Sequence, residues 1–166
     1  MVRYLEENYI LSNSQHGFRS GRNTLTQLLE HFDGIFSGLL QGEDTDTIYL
    51  DYAKAFDKVD HQLLLKKMTK YGFPGNIVNW VASFLFDRRQ TVVVKGAHSV
   101  EAPVVSGVSQ GTVLGPVLFL IFVNDLDKKV VNSKISFFAD DTRISYKISS
   151  TQCKEVLGRD LVQVVC

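Results

Sequence analysis

The sequence predicts an α+β domain built on a mostly antiparallel sheet, and three observations carry that expectation. Apolar runs with helical spacing alternate along the chain with short β-rich runs. The stretch KISFFADDTRISYKI, residues 134 to 148, reads as two β-rich runs joined by a tight acidic turn, a hairpin that cannot belong to a purely parallel sheet. With 166 residues, 45% of them hydrophobic and 11% aromatic, the chain is able to bury a real core.

Taken in order, the first long element runs from Asn23 to about Gln41. There Leu25, Leu28, Leu29, Phe32, Ile35, Phe36, Leu39 and Leu40 recur at helical spacing and predict an amphipathic helix with one wide buried face. TDTIYLDY follows as a short strand with Ile48 and Leu50 on one side. Asp60 is placed to cap a helix through HQLLLKKMTKY to Gly72, and a second helix, GNIVNWVASFLF, follows Pro74. QTVVVKGAHSVEAPVVSG reads as two extended segments about a turn at Gly96. GTVLGPVLFLIFVNDL has the pattern of a buried helix entered through glycines. After the acidic hairpin, Ser149 or Ser150 opens a final helix with Val156, Leu157, Leu161 and Val164 inward. No repeat, low-complexity tract or linker marks an internal domain boundary.

Charge and cysteine usage narrow the setting. Eighteen basic and eighteen acidic residues cancel, so the chain lacks the overall positive field common among nucleic-acid binders. The distribution is uneven: residues 1 to 60 carry five Lys/Arg against ten Asp/Glu, and residues 61 to 100 carry six against one. Solvated helix and hairpin faces are the simpler account of that basic middle. Cys153 and Cys166 form neither a disulfide framework nor a metal knuckle, which favours a reducing compartment. The start MVRYLEENYI lacks a signal-peptide core, and VLGPVLFLIFV is short and interrupted by Gly115 and Pro116. The expectation is an intracellular protein of the nucleus or cytoplasm, without a membrane partner.

Two adjacent carboxylates, Asp140 and Asp141, at a hairpin tip repel one another unless a cation neutralises them. Alone, such a pair reads first as a solvated turn, since Asp is a common turn former. Asp51 changes the balance, because it ends another short apolar strand in IYLDYAKAFDKVDH. Three carboxylates at the ends of neighbouring strands suit two Mg²⁺ or Mn²⁺ ions about 3.5–4 Å apart, which activate an attacking hydroxyl and steady a leaving pyrophosphate.

LDYAKAFDKVDH, SGVSQGTVLGPVLFLIFVNDL and FADDT, in that order, resemble three consecutive motifs of the reverse transcriptase palm in its non-LTR (LINE-type) retrotransposon form. QHGFRSGRNTLTQLL is similar to the preceding block of the same family, and the resemblance runs from about Tyr4 to Val165. It implies a palm-like antiparallel sheet with helices packed on one face, plus part of the fingers: about residues 1–45 as fingers and 46–166 as palm. It also implies RNA-directed DNA synthesis from a primer 3′-hydroxyl, with RNA template, DNA primer and dNTP as partners and two Mg²⁺ (or Mn²⁺) ions as cofactors.

By the same resemblance Asp51, Asp140 and Asp141 match the metal-binding carboxylates, Asp51 and Asp140 most directly. Phe56 matches the aromatic that blocks a ribose 2′-hydroxyl, though a core phenylalanine would look alike. Gln110 and Gly111 match the Gln-Gly pair beside the nascent base pair, with Ser109 where the family more often has proline. Arg19 and Arg22 match residues near the template backbone, where a guanidinium fork suits phosphate; a solvated loop before a helix is the alternative. Asp57 and Asp60 are read as a surface charge and a helix cap. Upstream fingers segments and the thumb are expected to lie outside this chain, so that alone it should extend primers weakly or not at all. The competing expectation is a silent remnant that at most binds nucleic acid or a protein partner.

Overall fold

The computed structural model describes residues 1–148 and 153–165. In chain order its elements are α1 (Val2–Glu7), α2 (Thr24–Leu40), β1 (Asp44–Leu50), α3 (His61–Lys70) and α4 (Gly75–Leu85). There follow the two-residue strands β2 (Arg89–Gln90), β3 (Val93–Val94), β4 (Ala97–His98) and β5 (Ala102–Pro103), then α5 (Leu114–Val123), β6 (Lys134–Phe138), β7 (Asp141–Ile148) and α6 (Cys153–Val165). Single 3-10 turns occupy Phe56–Lys58 and Leu126–Lys129. The chain divides into two compact units, Met1–Ala53 with Val123–Cys166, and Lys54–Phe122.

The first unit is organised by a three-stranded antiparallel sheet in the order β1-β7-β6. Ile48 and Ile135 both face Ile144, and Leu50 and Phe137 both face Thr142 across the central strand. Because side chains alternate, this register puts every large aliphatic of the three strands on one face. Ile135, Phe137 and Ile144 there form a core with Leu157 and Val164 of α6, flanked by Ile48, Leu50, Tyr146 and Leu161. Of the expected inward positions of the last helix, Leu157, Leu161 and Val164 are found in or against this core and Val156 is not, while Ser149 and Ser150 lie outside the described residues. Asp160 fixes that helix to the chain before β6, accepting hydrogen bonds from the backbone N–H of Val131, Asn132 and Ser133 at 3.3, 3.0 and 2.7 Å.

The opposite face of the sheet carries Thr45, Thr47, Tyr49, Lys134, Ser136, Arg143, Ser145 and Lys147, and α2 lies over it. Asn23 starts α2 with a capping box: its side chain accepts from the Thr26 N–H (2.9 Å) and its own N–H donates to the Thr26 hydroxyl (3.0 Å). The wide apolar face expected to be buried is instead largely exposed, with Leu29 and Phe36 each at 60%. Gln27, His31, Gly34 and Gly38 lie on the covered side. The reason is chemical matching: a sheet face of hydroxyls and cations is met by the helix's polar and small residues, as in the bond from Gln27 Nε2 to Ser136 Oγ at 3.1 Å.

In the second unit α3 and α4 pack as neighbours. Asp60 caps α3 as expected, accepting from the Leu63 N–H at 2.7 Å. The region about Gly96 forms two short antiparallel pairs, β3 with β4 and β2 with β5. The apolar side chains of α5 are buried at Leu118, Phe119, Leu120 and Ile121. No helix among the described residues is long and apolar enough to cross a membrane.

Candidate active site

β1 stops at Leu50, which pairs with Thr142; the next residue, Asp51, and the preceding residue of the partner strand, Asp141, therefore arrive together at one end of the sheet. Both line a cleft of about 420 Å³ with Thr24, Gln27, Tyr49 and Arg143. Asp140 sits one residue earlier, in the turn, half-buried and outside the walls of that cleft. The structure thus brings two of the three acids into one cleft and leaves the third adjacent. Among the described residues no three His, Cys, Asp or Glu side chains stand close enough to form a ready-made cage for an ion. The donors themselves, carboxylate oxygens at a sheet end, are chemically suited to Mg²⁺ or Mn²⁺.

The turn bearing these acids is held by a residue that sequence reasoning did not single out. Gln15 is 3% exposed; its Oε1 accepts from the N–H of Gly17 (2.7 Å) and of Ala139 (3.0 Å), and its Nε2 donates to the Ala139 carbonyl (3.2 Å). Ala139 has φ of 57°, a left-handed conformation that costs a non-glycine residue about 1 kcal/mol or more. Residues 14–16 also run beside β6, with the Phe137 N–H donating to the Ser14 carbonyl (2.8 Å) and the His16 N–H to the Phe137 carbonyl (2.9 Å). A Cβ on Gly17 would overlap the Ala139 nitrogen, so only glycine allows the loop this close. The signal was present in QHG, but a lone glutamine in a polar loop has no periodicity to betray its burial.

Phe56 and the Gln110–Gly111 turn belong to the second unit. Phe56 is half-buried and stacks on Phe119 of α5, ring centroids 4.2 Å apart and planes 10° from parallel. Gln110 is exposed. Gly111 has φ of +75° with open space where a Cβ would stand, so glycine is required there by backbone conformation and no approach of the chain's own atoms demands it. Close approach is instead the reason for two neighbours: a Cβ on Gly115 would overlap the Ser109 carbonyl, and one on Gly107 would meet the Asp57 backbone at 2.8 Å. Arg88 braces the same loop, donating to the Gly107 carbonyl (2.9 Å) and to the Ser109 hydroxyl.

The two loop arginines differ. Arg19 is engaged within the chain: its Nη2 and Nε donate to Glu6 at 2.6 and 2.9 Å and its Nη1 to the Ser12 carbonyl at 2.7 Å. That guanidinium holds the Glu6 carboxyl below its usual range against the opposing effect of burial. Arg22 bonds the Asn13 carbonyl and side chain and is half-buried. His16 between them is buried, contacting Thr26 and Glu30 at 3.1 Å each; burial and the nearby Arg22 push its pKa down.

Comparison with known proteins identifies the family and the fold. The family model for reverse transcriptase (RNA-dependent DNA polymerase) matches residues 1–163. The chain is 32% identical over 160 residues to the probable RNA-directed DNA polymerase from transposon BS of Drosophila melanogaster, covering 91% of this chain and 17% of that protein. It is 34% identical over 143 residues to the RNA-directed DNA polymerase from mobile element jockey of the same organism, covering 82% of this chain and 16% of that protein. It therefore spans less than a fifth of the length of these curated relatives. The fold also superposes on that of an apo telomerase from Candida tropicalis with a TM-score of 0.67 at 16% identity, over 97% of this chain and 36% of the telomerase. The chain belongs to the reverse transcriptase (RNA-dependent DNA polymerase) family, in company with the polymerases of non-LTR retrotransposons.

Proposed function

We propose that the chain carries the acidic centre of a retrotransposon reverse transcriptase, which extends a primer 3′-hydroxyl with dNTPs on an RNA template. The observation that carries this reading is the β1–β7 register, which delivers Asp51 and Asp141 to one cleft beside Asp140. In this reading the three carboxylates hold two Mg²⁺ or Mn²⁺ ions. When bound, the ions lower the pKa of the attacking hydroxyl and stabilise charge on the leaving pyrophosphate. The chain's own contribution is to hold three oxygen-donor side chains at the sheet end, with Gln15 fixing the turn from which two of them project.

By motif position, Phe56 excludes a ribose 2′-hydroxyl, and Gln110 and Gly111 shape the nucleotide site. Arg22, with part of its fork free, contacts template phosphate; Arg19 acts on the same loop by holding it to Glu6. About residues 1–45 are assigned to the fingers and 46–166 to the palm.

The test is metal-dependent stability together with primer extension. Mg²⁺ and Mn²⁺ should raise the Tm by mass action, and Asp140→Asn should largely remove that rise. An Asp140→Asn chain that responds to Mn²⁺ as the unsubstituted one does would move the metal site elsewhere.

A further inference from the structure

A second cavity of about 440 Å³ opens between α2 and the polar face of the sheet. Lys134, Arg143 and Lys147 from two strands border it, with His31 from α2. Two carboxylates also border it, and each is already paired: Glu30 with Lys134 at 2.9 Å and Glu43 with Lys147 at 3.0 Å. Arg143 is the exception. It stands on the central strand, is only 7% exposed, and makes one long hydrogen bond, from Nη2 to the Gln27 carbonyl at 3.4 Å. No carboxylate among the described residues lies within ion-pairing distance of it.

A guanidinium offers five donors and cannot shed its charge, so burying it with one weak acceptor is costly unless another anion completes it. The local potential is correspondingly positive: His31 has its pKa pushed down by burial and by the charges of Arg143 and Lys134. The planar fork of arginine matches two oxygens of a tetrahedral oxyanion, and the Ser136 and Ser145 hydroxyls on the same cavity wall add neutral donors.

We propose that the cavity between α2 and the sheet's polar face binds a phosphate-type oxyanion, with Arg143 as its central ligand. This cavity is a different one from the cleft lined by Asp51 and Asp141, although Arg143 borders both, and oxyanion binding in it requires no metal ion. Two sources share this chemistry: free phosphate or pyrophosphate, and a phosphodiester of a bound nucleic-acid strand.

The test uses the full chain in metal-free buffer with EDTA, so that failure of the metal reading leaves it untouched. Inorganic phosphate, against chloride at matched ionic strength, should raise the Tm by about 3 °C near saturation and broaden the ³¹P resonance of the added phosphate. Arg143→Gln should melt no lower than the unsubstituted chain without phosphate, because an uncompensated buried charge has been removed, and should lose the phosphate response. Arg143→Lys keeps the charge without the fork and should bind phosphate about tenfold more weakly. A short single-stranded DNA that displaces phosphate assigns the site to backbone phosphodiesters, and failure to displace assigns it to a free oxyanion. No phosphate response in the unsubstituted chain, or an affinity unchanged in Arg143→Lys, overturns the proposal even if Arg143→Gln does not fold.

Discussion

Gln15 grips both ends of one residue: its Oε1 accepts from the Ala139 N–H and its Nε2 donates to the Ala139 carbonyl, at 3.0 and 3.2 Å. The residue so held is the left-handed one immediately before Asp140 and Asp141. Gln15→Ala leaves that N–H, that carbonyl and the Gly17 N–H without their partner in a buried loop. Urea unfolding should show a loss of about 2–3 kcal/mol. Gln15→Glu should also destabilise, because a carboxylate retains the two acceptor roles but cannot donate to the carbonyl. A Gln15→Ala chain as stable as the original would mean that water replaces the clamp.

Asp160 supplies the pH dependence. Burial alone would raise its pKa, but hydrogen bonds from Ser133, Asn132 and Val131 outweigh it and hold the carboxyl below its ordinary value of 3.8. A group depressed in the folded state contributes stability that is present above the unfolded value and is lost as pH falls through the folded one. Asp160→Asn presents an amide to backbone donors and should cost about 1–3 kcal/mol at neutral pH. The difference between the two chains should stay constant down to about pH 4 and shrink below 3.8. A difference that shrinks instead near neutrality would assign the pH dependence to another group.

Two glycines should respond in opposite directions to the same substitution. Gly107 has φ of +89° and its new Cβ would lie 2.8 Å from the Asp57 backbone, so Gly107→Ala should destabilise by about 2 kcal/mol or more. Gly158, within α6, has open space around it and an ordinary φ. Gly158→Ala should stabilise by about 0.5–1 kcal/mol. Thermal unfolding of the two variants side by side checks both signs.

Phe56 serves two readings that one variant separates. Its stacking on Phe119 means that Phe56→Val costs stability whatever else it does, on the order of 1 kcal/mol. If it also guards the sugar, ribonucleotide incorporation should rise relative to deoxyribonucleotide in a primer-extending enzyme that contains this chain. A destabilised enzyme with an unchanged incorporation ratio would make Phe56 a packing residue alone.

What the sequence disclosed follows from how each feature is encoded. The hairpin of β6 and β7 was legible because alternation of Ile135, Phe137, Ile144 and Tyr146 fixes the face, and two aspartates at the turn fix its tip. The cap at Asp60 was legible because it is local. Gln15 and Arg143 were not, since each owes its importance to groups more than a hundred residues away in the chain. The apolar face of α2 was found but expected to be buried, and it is largely exposed. Helical periodicity reveals that a face is apolar and leaves open what covers it.

That face yields the last prediction. Leu25, Leu28, Leu29, Phe32, Phe36 and Leu39 remain between 44% and 61% exposed, a row too long for ordinary surface scatter. Leu157, by contrast, is packed into the core of the sheet. Leu157→Ala should cost about 2–5 kcal/mol, as buried truncations do. Leu29→Lys and Phe36→Lys should each cost within about 0.5 kcal/mol in this chain, because the side chains lose little contact with it. Together they should also lower self-association at high concentration, measured by light scattering. If either lysine variant loses as much stability as Leu157→Ala, the face is covered in solution, and the concentration dependence of the Tm would then show whether a second copy covers it.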